Sequence, residues 1–283
     1  MNDEFWESIA NDTEPVISLQ KEREKTWEAQ KVYRAESRKK SAQRKKEKQK
    51  KLEERKKREE LLLKEQEEAD LVQSGSKAGG TSLSVKKGRW KTVKFGRYPQ
   101  RKNLLTGKYM EEEVTWNILG QTEHEVLLIS RRILDARPFD GDFHGCDWEY
   151  SDLRMWLNEE FIHKIFSEEE RQKLRYSRIT TGDGVETIDR VFLPSSKEMM
   201  CKEYGFPDHD QSSKERIAKC TDYAKKQGCL RYNHRSPYWL RNSGSTTQTA
   251  MNVGTSGYVY HLMEENVTSH SMGIRPMIRI SQP

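Results

Sequence analysis

The sequence predicts an α+β domain preceded by a long charged helical arm. Three observations carry that expectation. The first is composition: 34% of the 283 residues are charged and 33% are hydrophobic, too polar for one uniform globule. The second is where the apolar residues fall. Between Arg34 and Glu60 they are Ala35, Ala42 and Leu52 alone, whereas after Arg89 they recur in regular clusters. The third is periodicity. After Arg89, segments that alternate apolar and polar residues are interspersed with capped helical patterns and turn residues.

In chain order, residues 1–20 form an acidic tip with Asp3, Glu4, Glu7, Asp12 and Glu14 and no base, and with Phe5, Trp6 and Ile9 at helical spacing. Residues 21–73 form the arm. From Ser18 to Gln73 there is neither glycine nor proline, and Lys, Glu, Arg, Gln and Ala dominate, all strong helix formers. Glu53 with Lys56 and Lys57, and Glu60 with Lys64, stand three or four residues apart and support a helix by paired charge. The arm makes a poor coiled coil, because Ser37 to Lys51 offers only Ala42 for an apolar seam, and the pattern leaves a single helix, an oligomerising coiled coil and a disordered segment open. The arm therefore reads as a solvated charged helix or a partly disordered spacer.

Within it, Arg38 to Arg58 holds thirteen bases against three acids. Arg38, Lys39, Lys40, Arg44, Lys45, Lys46, Lys50, Lys51, Arg55, Lys56, Lys57 and Arg58 are candidate contacts to a polyanion, acting by counterion release. No aromatic residue lies between Arg34 and Trp90 to stack on bases, and the block has no apolar face for a membrane surface. Residues 74–89 form a linker whose core, Ser74 to Ser82, is rich in Gly and Ser, with a domain boundary near residue 85.

The start Met1-Asn2-Asp3-Glu4 is acidic where a secretory leader is basic. The longest apolar runs, Leu61–Leu63 and Val126–Ile129, are far short of the ~20 residues of a membrane span. Four cysteines, Cys146, Cys201, Cys220 and Cys229, do not make a dense disulfide framework. The expectation is a cytoplasmic protein with free thiols.

Residues 90–283 form the domain. Thr92–Gln100 reads as a first strand. Glu113–Leu119 and Glu125–Ser130 read as a hairpin across the turn Gln121–His124, with Trp116 facing inward. After a bend at Asp135–Phe139 and a polar loop at Gly141–Glu149, Ser151 N-caps a helix with Leu153, Trp156, Leu157, Phe161 and Ile165 on one face. Ser167 with Glu170 and Ser195 with Glu198 match capping boxes, the first heading a helix through Leu174, the second one through Tyr204. Ile188–Leu193 reads as a strand closed by Pro194, and Lys214–Lys226 as a helix ended by Gly228. From Pro237 to Ile280 short strands alternate with Ser, Thr, Gly and Asn turns: Tyr238–Arg241, Tyr258–Tyr260 and Gly273–Pro276.

These pieces carry a resemblance. Gly96-Arg97-Tyr98-Pro99, Trp116, Leu153-Arg154-Met155-Trp156-Leu157-Asn158, Val191-Phe192-Leu193, Trp239-Leu240-Arg241 and Gly273-Ile274-Arg275-Pro276 follow one another over ~190 residues. In that order they resemble a bacterial domain family of unknown function with a C-type-lectin-like fold. That fold is shared with the formylglycine-generating enzyme and with the variable proteins of diversity-generating retroelements. The resemblance implies a compact domain whose last strands and loops present a binding surface; it does not imply catalysis.

The chemistry open to such a fold narrows quickly. The Glu-Pro-Asn, Gln-Pro-Asp and Trp-Asn-Asp calcium motifs of sugar-binding C-type lectins are missing. So is the late cysteine pair of the formylglycine-generating enzyme, since no cysteine follows Cys229. Cys201, His209, Cys220, Cys229 and His234 lack the close ligand pairs of a structural zinc site, so no cofactor or metal is implied. His144 and Cys146, in the loop Asp142–Asp147, offer a His-activated thiol, but no oxyanion-hole motif accompanies them.

The preferred candidates are Asn242, Thr246, Gln248, Asn252, Tyr258, Tyr260 and His261, a Tyr/Ser/Thr/Asn mixture suited to adaptable recognition. Arg241 and Arg275 read as parts of a buried charge network, with Asp152 or Glu149 as partners. The sequence therefore predicts a non-enzymatic module that binds a protein or small polar ligand and is tethered by the basic arm. Two alternatives stand beside it: a nucleic-acid-associated protein acting through Arg38–Arg58, and an enzyme of unknown chemistry at the His144/Cys146 loop.

Overall fold

The chain is described by a computed structural model for residues 43, 46–71, 88–141, 147–181, 184–259 and 264–282. The acidic tip, Arg38 to Lys40, Arg44, Lys45, the Gly/Ser linker core, His144, Cys146, Tyr260 and His261 lie outside the described residues. Helix α1 occupies residues 46–71, and the chain divides between Arg55 and Lys56. Among the described residues no helix is long and apolar enough to cross a membrane.

The second unit is α+β. Strands β1 (Thr92–Lys102), β2 (Tyr109–Gln121) and β3 (Glu125–Ser130) form an antiparallel meander. The Asn103 carboxamide oxygen accepts from Leu105 N–H at 2.9 Å and Thr106 N–H at 3.1 Å, which folds the first turn on itself. Trp116 points inward with no exposed surface, and its indole N–H donates to the Phe95 carbonyl at 2.8 Å.

A short strand β4 (Asp135–Ala136) precedes a 3₁₀ turn, Trp148–Tyr150, and then helix α2 (Asp152–Trp156). Ser151 caps α2 by accepting from Arg154 N–H. The chain stays helical through a π turn, Leu157–Phe161, into α3 (Ile162–Ile165), and burying Leu153, Trp156, Leu157, Phe161 and Ile165 holds this stretch on the core. Helix α4 (Glu168–Lys173) starts at the capping box of Ser167 and Glu170.

A hairpin of β5 (Ser177–Thr180) and β6 (Glu186–Asp189) follows, then β7 (Val191–Phe192). The continuous strand expected over Ile188–Leu193 is broken at Arg190. The Asn158 carboxamide oxygen takes the N–H groups of Arg190 and Val191 at 2.9 and 3.1 Å, so a side chain from the π turn replaces a neighbouring strand there.

Helix α5 (Ser196–Met199) begins at its capping box but stops well short of Tyr204. The helix expected over Lys214–Lys226 forms only as α6 (Asp222–Lys226). Ala218 and Cys220 upstream are instead bridged to Ser236 and Ile133, and Thr221 starts the helix by capping Ala224 N–H. Tertiary pairing overrides local helical pattern at this point.

The remaining strands are β8 (Tyr238–Ser243), β9 (Thr249–Val253), β10 (Glu264–Asn266), β11 (Gly273–Ile274) and β12 (Met277–Ser281). They complete two five-stranded sheets, β1-β2-β3-β12-β7 and β10-β9-β8-β11-β4. The chain passes from one sheet to the other through Arg275-Pro276. Buried Arg275 donates to the Ser130 carbonyl at the end of β3 and to the Tyr238 hydroxyl on β8, each at 3.0 Å, and so ties the sheets together.

A buried charge network organises the region between the 3₁₀ turn and β6. Asp189 has no exposed surface. It accepts from Arg154 Nε at 2.7 Å, Asn158 Nδ2 at 3.2 Å, Trp148 Nε1 at 3.1 Å and the Thr187 hydroxyl at 2.8 Å. Arg154 spends its other donors on the Glu149 and Ile188 carbonyls and on Glu59 of α1, at 3.3 Å.

Other α1 residues on the same face also bind the domain. Lys56 pairs with Glu149, Glu60 with Arg178 at 3.1 Å and Asp70 with Arg175. The Gln66 carboxamide takes both the N–H and the carbonyl of Tyr176, at 2.9 and 3.1 Å. Leu63 is the apolar member of this stripe and is buried. From Lys56 onward, α1 is therefore part of the compact unit.

Asp189→Ala removes the closer of the two carboxylates paired with the buried Arg154 guanidinium, leaving Glu59 at 3.3 Å, and loss of one partner of a buried pair costs about 3–5 kcal/mol. Chemical denaturation is expected to show a stability loss of that size. A loss under 1 kcal/mol would contradict the role assigned to Asp189.

Candidate functional site

The turn between β8 and β9 presents an exposed, hydrogen-bonded polar surface in the stretch that the sequence singles out. At its base Gly244 N–H donates to the Thr249 carbonyl at 2.8 Å. A Cβ at Gly244 would lie 2.3 Å from Thr249 Oγ1, so the close approach excludes larger residues. The Thr246 and Thr249 hydroxyls are 3.0 Å apart, and Gln248 N–H donates to Thr246 Oγ1 at 3.3 Å.

Glu264 on β10 holds the turn from the side. One carboxylate oxygen accepts from Ser245 N–H at 2.7 Å, and the other from the Ser245 and Thr249 hydroxyls at 2.8 and 2.9 Å. The Thr246 and Gln248 side chains remain exposed on this frame. A hydroxyl and a carboxamide held on a fixed backbone can exchange hydrogen bonds with a polar partner at little entropic cost. Neither Ser245 nor Glu264 is singled out by the sequence pattern. Glu264 sits in a short strand of no distinctive alternation, and its role exists only through the pairing of β10 with β9.

The other predicted contacts fall elsewhere. Asn242 and Asn252 are buried, and the Asn242 carboxamide oxygen accepts from Ser196 N–H at 2.8 Å at the start of α5. Tyr258 is half-buried, and its carbonyl accepts from Gly254 N–H at 3.0 Å. Tyr258 and Val259 lie outside any strand, because Val259 N–H is taken by the Asp210 carbonyl at 2.9 Å.

The two arginines are buried in the framework. Arg241 forms a bidentate pair with Glu198, at 2.5 and 3.0 Å, and donates to the Leu193 carbonyl at 2.7 Å. Glu198 thus takes the place expected of Asp152 or Glu149. Asp152 accepts instead from Gly141 N–H at 2.9 Å, and Glu149 pairs with Lys56. In the basic block, Lys46, Lys50, Lys51, Lys56, Lys57 and Arg58 are exposed and Arg55 is half-buried. Among the described residues no three His, Cys, Asp or Glu side chains gather to hold a metal ion.

An α+β domain of two linked five-stranded sheets, with a polar, hydrogen-bonded turn joining β8 to β9, defines the class. The chain belongs to the family described as Domain of unknown function (DUF6273), whose model matches residues 123–282, more than half of the chain. No curated protein and no solved structure matches it.

Removing the Glu264 carboxylate releases three hydrogen bonds from the turn. In Glu264→Ala, amide exchange at Ser245 is expected to accelerate about tenfold or more, since a hydrogen bond to a charged group contributes roughly 1.5–3 kcal/mol. Unchanged protection of Ser245 in hydrogen-exchange measurements would show that the turn is held by other means.

Proposed function

We propose that the chain is a non-catalytic binding module with a C-type-lectin-like fold, recognising a small polar ligand or a protein through the β8–β9 turn. The fold reading is supported by the ordered motifs and by the terminal strand β12 lying between β3 and β7, within the sheet that β1 opens. The observation that carries the functional reading is the Glu264-braced display of Thr246 and Gln248. Tyr258 supplies the half-buried aromatic surface of the same stretch.

The basic segment of α1 supports a second component of this reading, a tether that meets a polyanion. The exposed bases Lys46, Lys50 and Lys51 precede the docked half of the helix. They can contact a polyanion without disturbing the pairs made by Lys56, Glu59 and Gln66.

Two measurements test the components separately. Thermal-shift screening against mono- and disaccharides and short peptides should find a stabilising compound. In Thr246→Ala/Gln248→Ala its affinity should fall by about 1–3 kcal/mol with Tm otherwise unchanged. Retained affinity would move the site away from this turn. For the tether, Lys46→Gln/Lys50→Gln/Lys51→Gln should flatten the salt dependence of duplex DNA binding by about 0.9 in log–log slope per lost phosphate contact. An unchanged slope would remove these bases from the interface.

A further inference from the structure

The turn that joins β1 to β2 carries two leucines in water. Leu104 is 91% exposed and Leu105 98%, the two most exposed large hydrophobic side chains among the described residues. Turns between antiparallel strands are ordinarily polar, so an adjacent pair of leucines at a tip calls for a partner. The backbone that carries them is fixed. Asn103 N–H donates to the Lys108 carbonyl and Gly107 N–H to the Asn103 carbonyl, each at 2.8 Å. The Asn103 carboxamide holds the N–H groups of Leu105 and Thr106 from within, and Gly107 takes the left-handed conformation, φ +69°, on which the chain returns. The loop satisfies its own backbone and presents the leucines on a formed tip.

Basic and aromatic groups stand behind the tip. Lys102 precedes Leu104 by two residues and Lys108 follows Leu105 by three, within about 7–11 Å along the chain. Both lysines are exposed, as is Lys226 of α6. Lys102 N–H donates to the Asp222 carboxylate at 3.1 Å, which sets α6 against the base of the hairpin. There Lys226 Nζ lies 5.3 Å from the centre of the Tyr109 ring, and Lys164 Nζ 5.2 Å from that of Tyr223. The two rings meet edge to face, their centres 5.5 Å apart. Of the nearby acids, Asp222 is engaged by Lys102 N–H, Glu112 pairs with Arg101 at 3.1 Å, and Glu111 lies farther down β2, opposite Pro99.

We propose that the β1–β2 tip inserts into the surface of an anionic lipid bilayer, Leu104 and Leu105 entering the acyl boundary while Lys102, Lys108 and Lys226 meet lipid phosphates. An interfacial apolar group sinks roughly 5–10 Å into the headgroup and acyl boundary, a depth that the spacing between the leucines and the lysines flanking them matches. Lysine stems lie along apolar surface with the ammonium in water, and tyrosines favour the headgroup level. The feature is a convex tip of two side chains, which offers too little area for a specific protein interface, whereas acyl chains close around a protrusion. The tip belongs to the sheet that β1 opens, not to the sheet of the β8–β9 turn, and it acts independently of that turn.

The test sediments the full-length protein with vesicles of phosphatidylcholine alone and of phosphatidylcholine mixed equally with phosphatidylglycerol. Binding should be at least about tenfold tighter on the mixed vesicles. In Leu104→Ser/Leu105→Ser that affinity should fall at least about tenfold with Tm unchanged, since neither leucine belongs to the core. In Lys102→Gln/Lys108→Gln it should fall about fivefold for each lysine removed. In Leu104→Trp, brominated acyl chains should quench fluorescence beyond the quenching seen with the wild-type protein. Association through the bases of the arm alone would leave the leucine and lysine variants bound as tightly as wild type, and that result in either variant overturns the proposal. So does a wild-type protein that stays off the mixed vesicles, as it would if the leucines seat in a protein, or that binds both kinds equally. Quenching of Leu104→Trp no greater than that of wild type overturns it as well.

Discussion

A carboxylate with no surface in contact with water needs protein donors to replace the solvent it has lost. Asp189 meets that requirement with four donors from four separate parts of the chain: the 3₁₀ turn, α2, the π turn and β6. Each of those segments is short, and none would hold its position by local propensity. Their mutual placement follows from sharing one acceptor. Arg154 then extends the network outward, because the donors left over after Asp189 and two carbonyls reach Glu59 on α1. The geometry of the arm's docked half is thereby set from inside the domain.

Much of the domain was legible in the sequence wherever a pattern was local. The Ser151 cap, the boxes at Ser167 and Ser195, and the inward Trp116 all depend on residues within a few positions of one another or on strict alternation. Legibility failed where a distant group won. Arg190 interrupts a strand because Asn158 takes its N–H, and residues 214–221 are not helical because Ala218 and Cys220 pair with other segments. The same division runs through the candidate site. Thr246 and Gln248 sit on a turn rich in Ser, Thr and Gly, which the sequence signals openly. Glu264, which braces them, is fifteen residues beyond Thr249, and only β pairing brings it near. Asn242 looked like a surface group, but it serves the first turn of α5.

The arm shows a related limit of hydropathy. A search for apolar seam positions finds almost nothing between Ser37 and Lys51. Yet Glu59, Gln66 and Asp70, with Leu63 between them, share one face at three- and four-residue spacing, and that face docks. The attachment is made mostly of hydrogen bonds and ion pairs, so its signature is geometric complementarity to Arg154, Arg175, Arg178 and Tyr176 rather than apolar periodicity. The opposite face keeps Lys57 and Arg58 in solvent. A single helix thus divides its polar residues between holding on to the domain and facing outward.

The double hydrogen bond from Gln66 to Tyr176 has a consequence for self-association. Tyr176 leads into β5, which pairs with β6 on one side and, among the described residues, with no strand on the other. The unpaired side of such a strand is a template on which a second chain can add its own backbone. Gln66 occupies the donor and the acceptor of Tyr176 at once, and Glu60 reaches Arg178 two residues on. The arm therefore lies along the margin of the β5-β6 hairpin as a guard rail, in a position to oppose the addition of a second chain there.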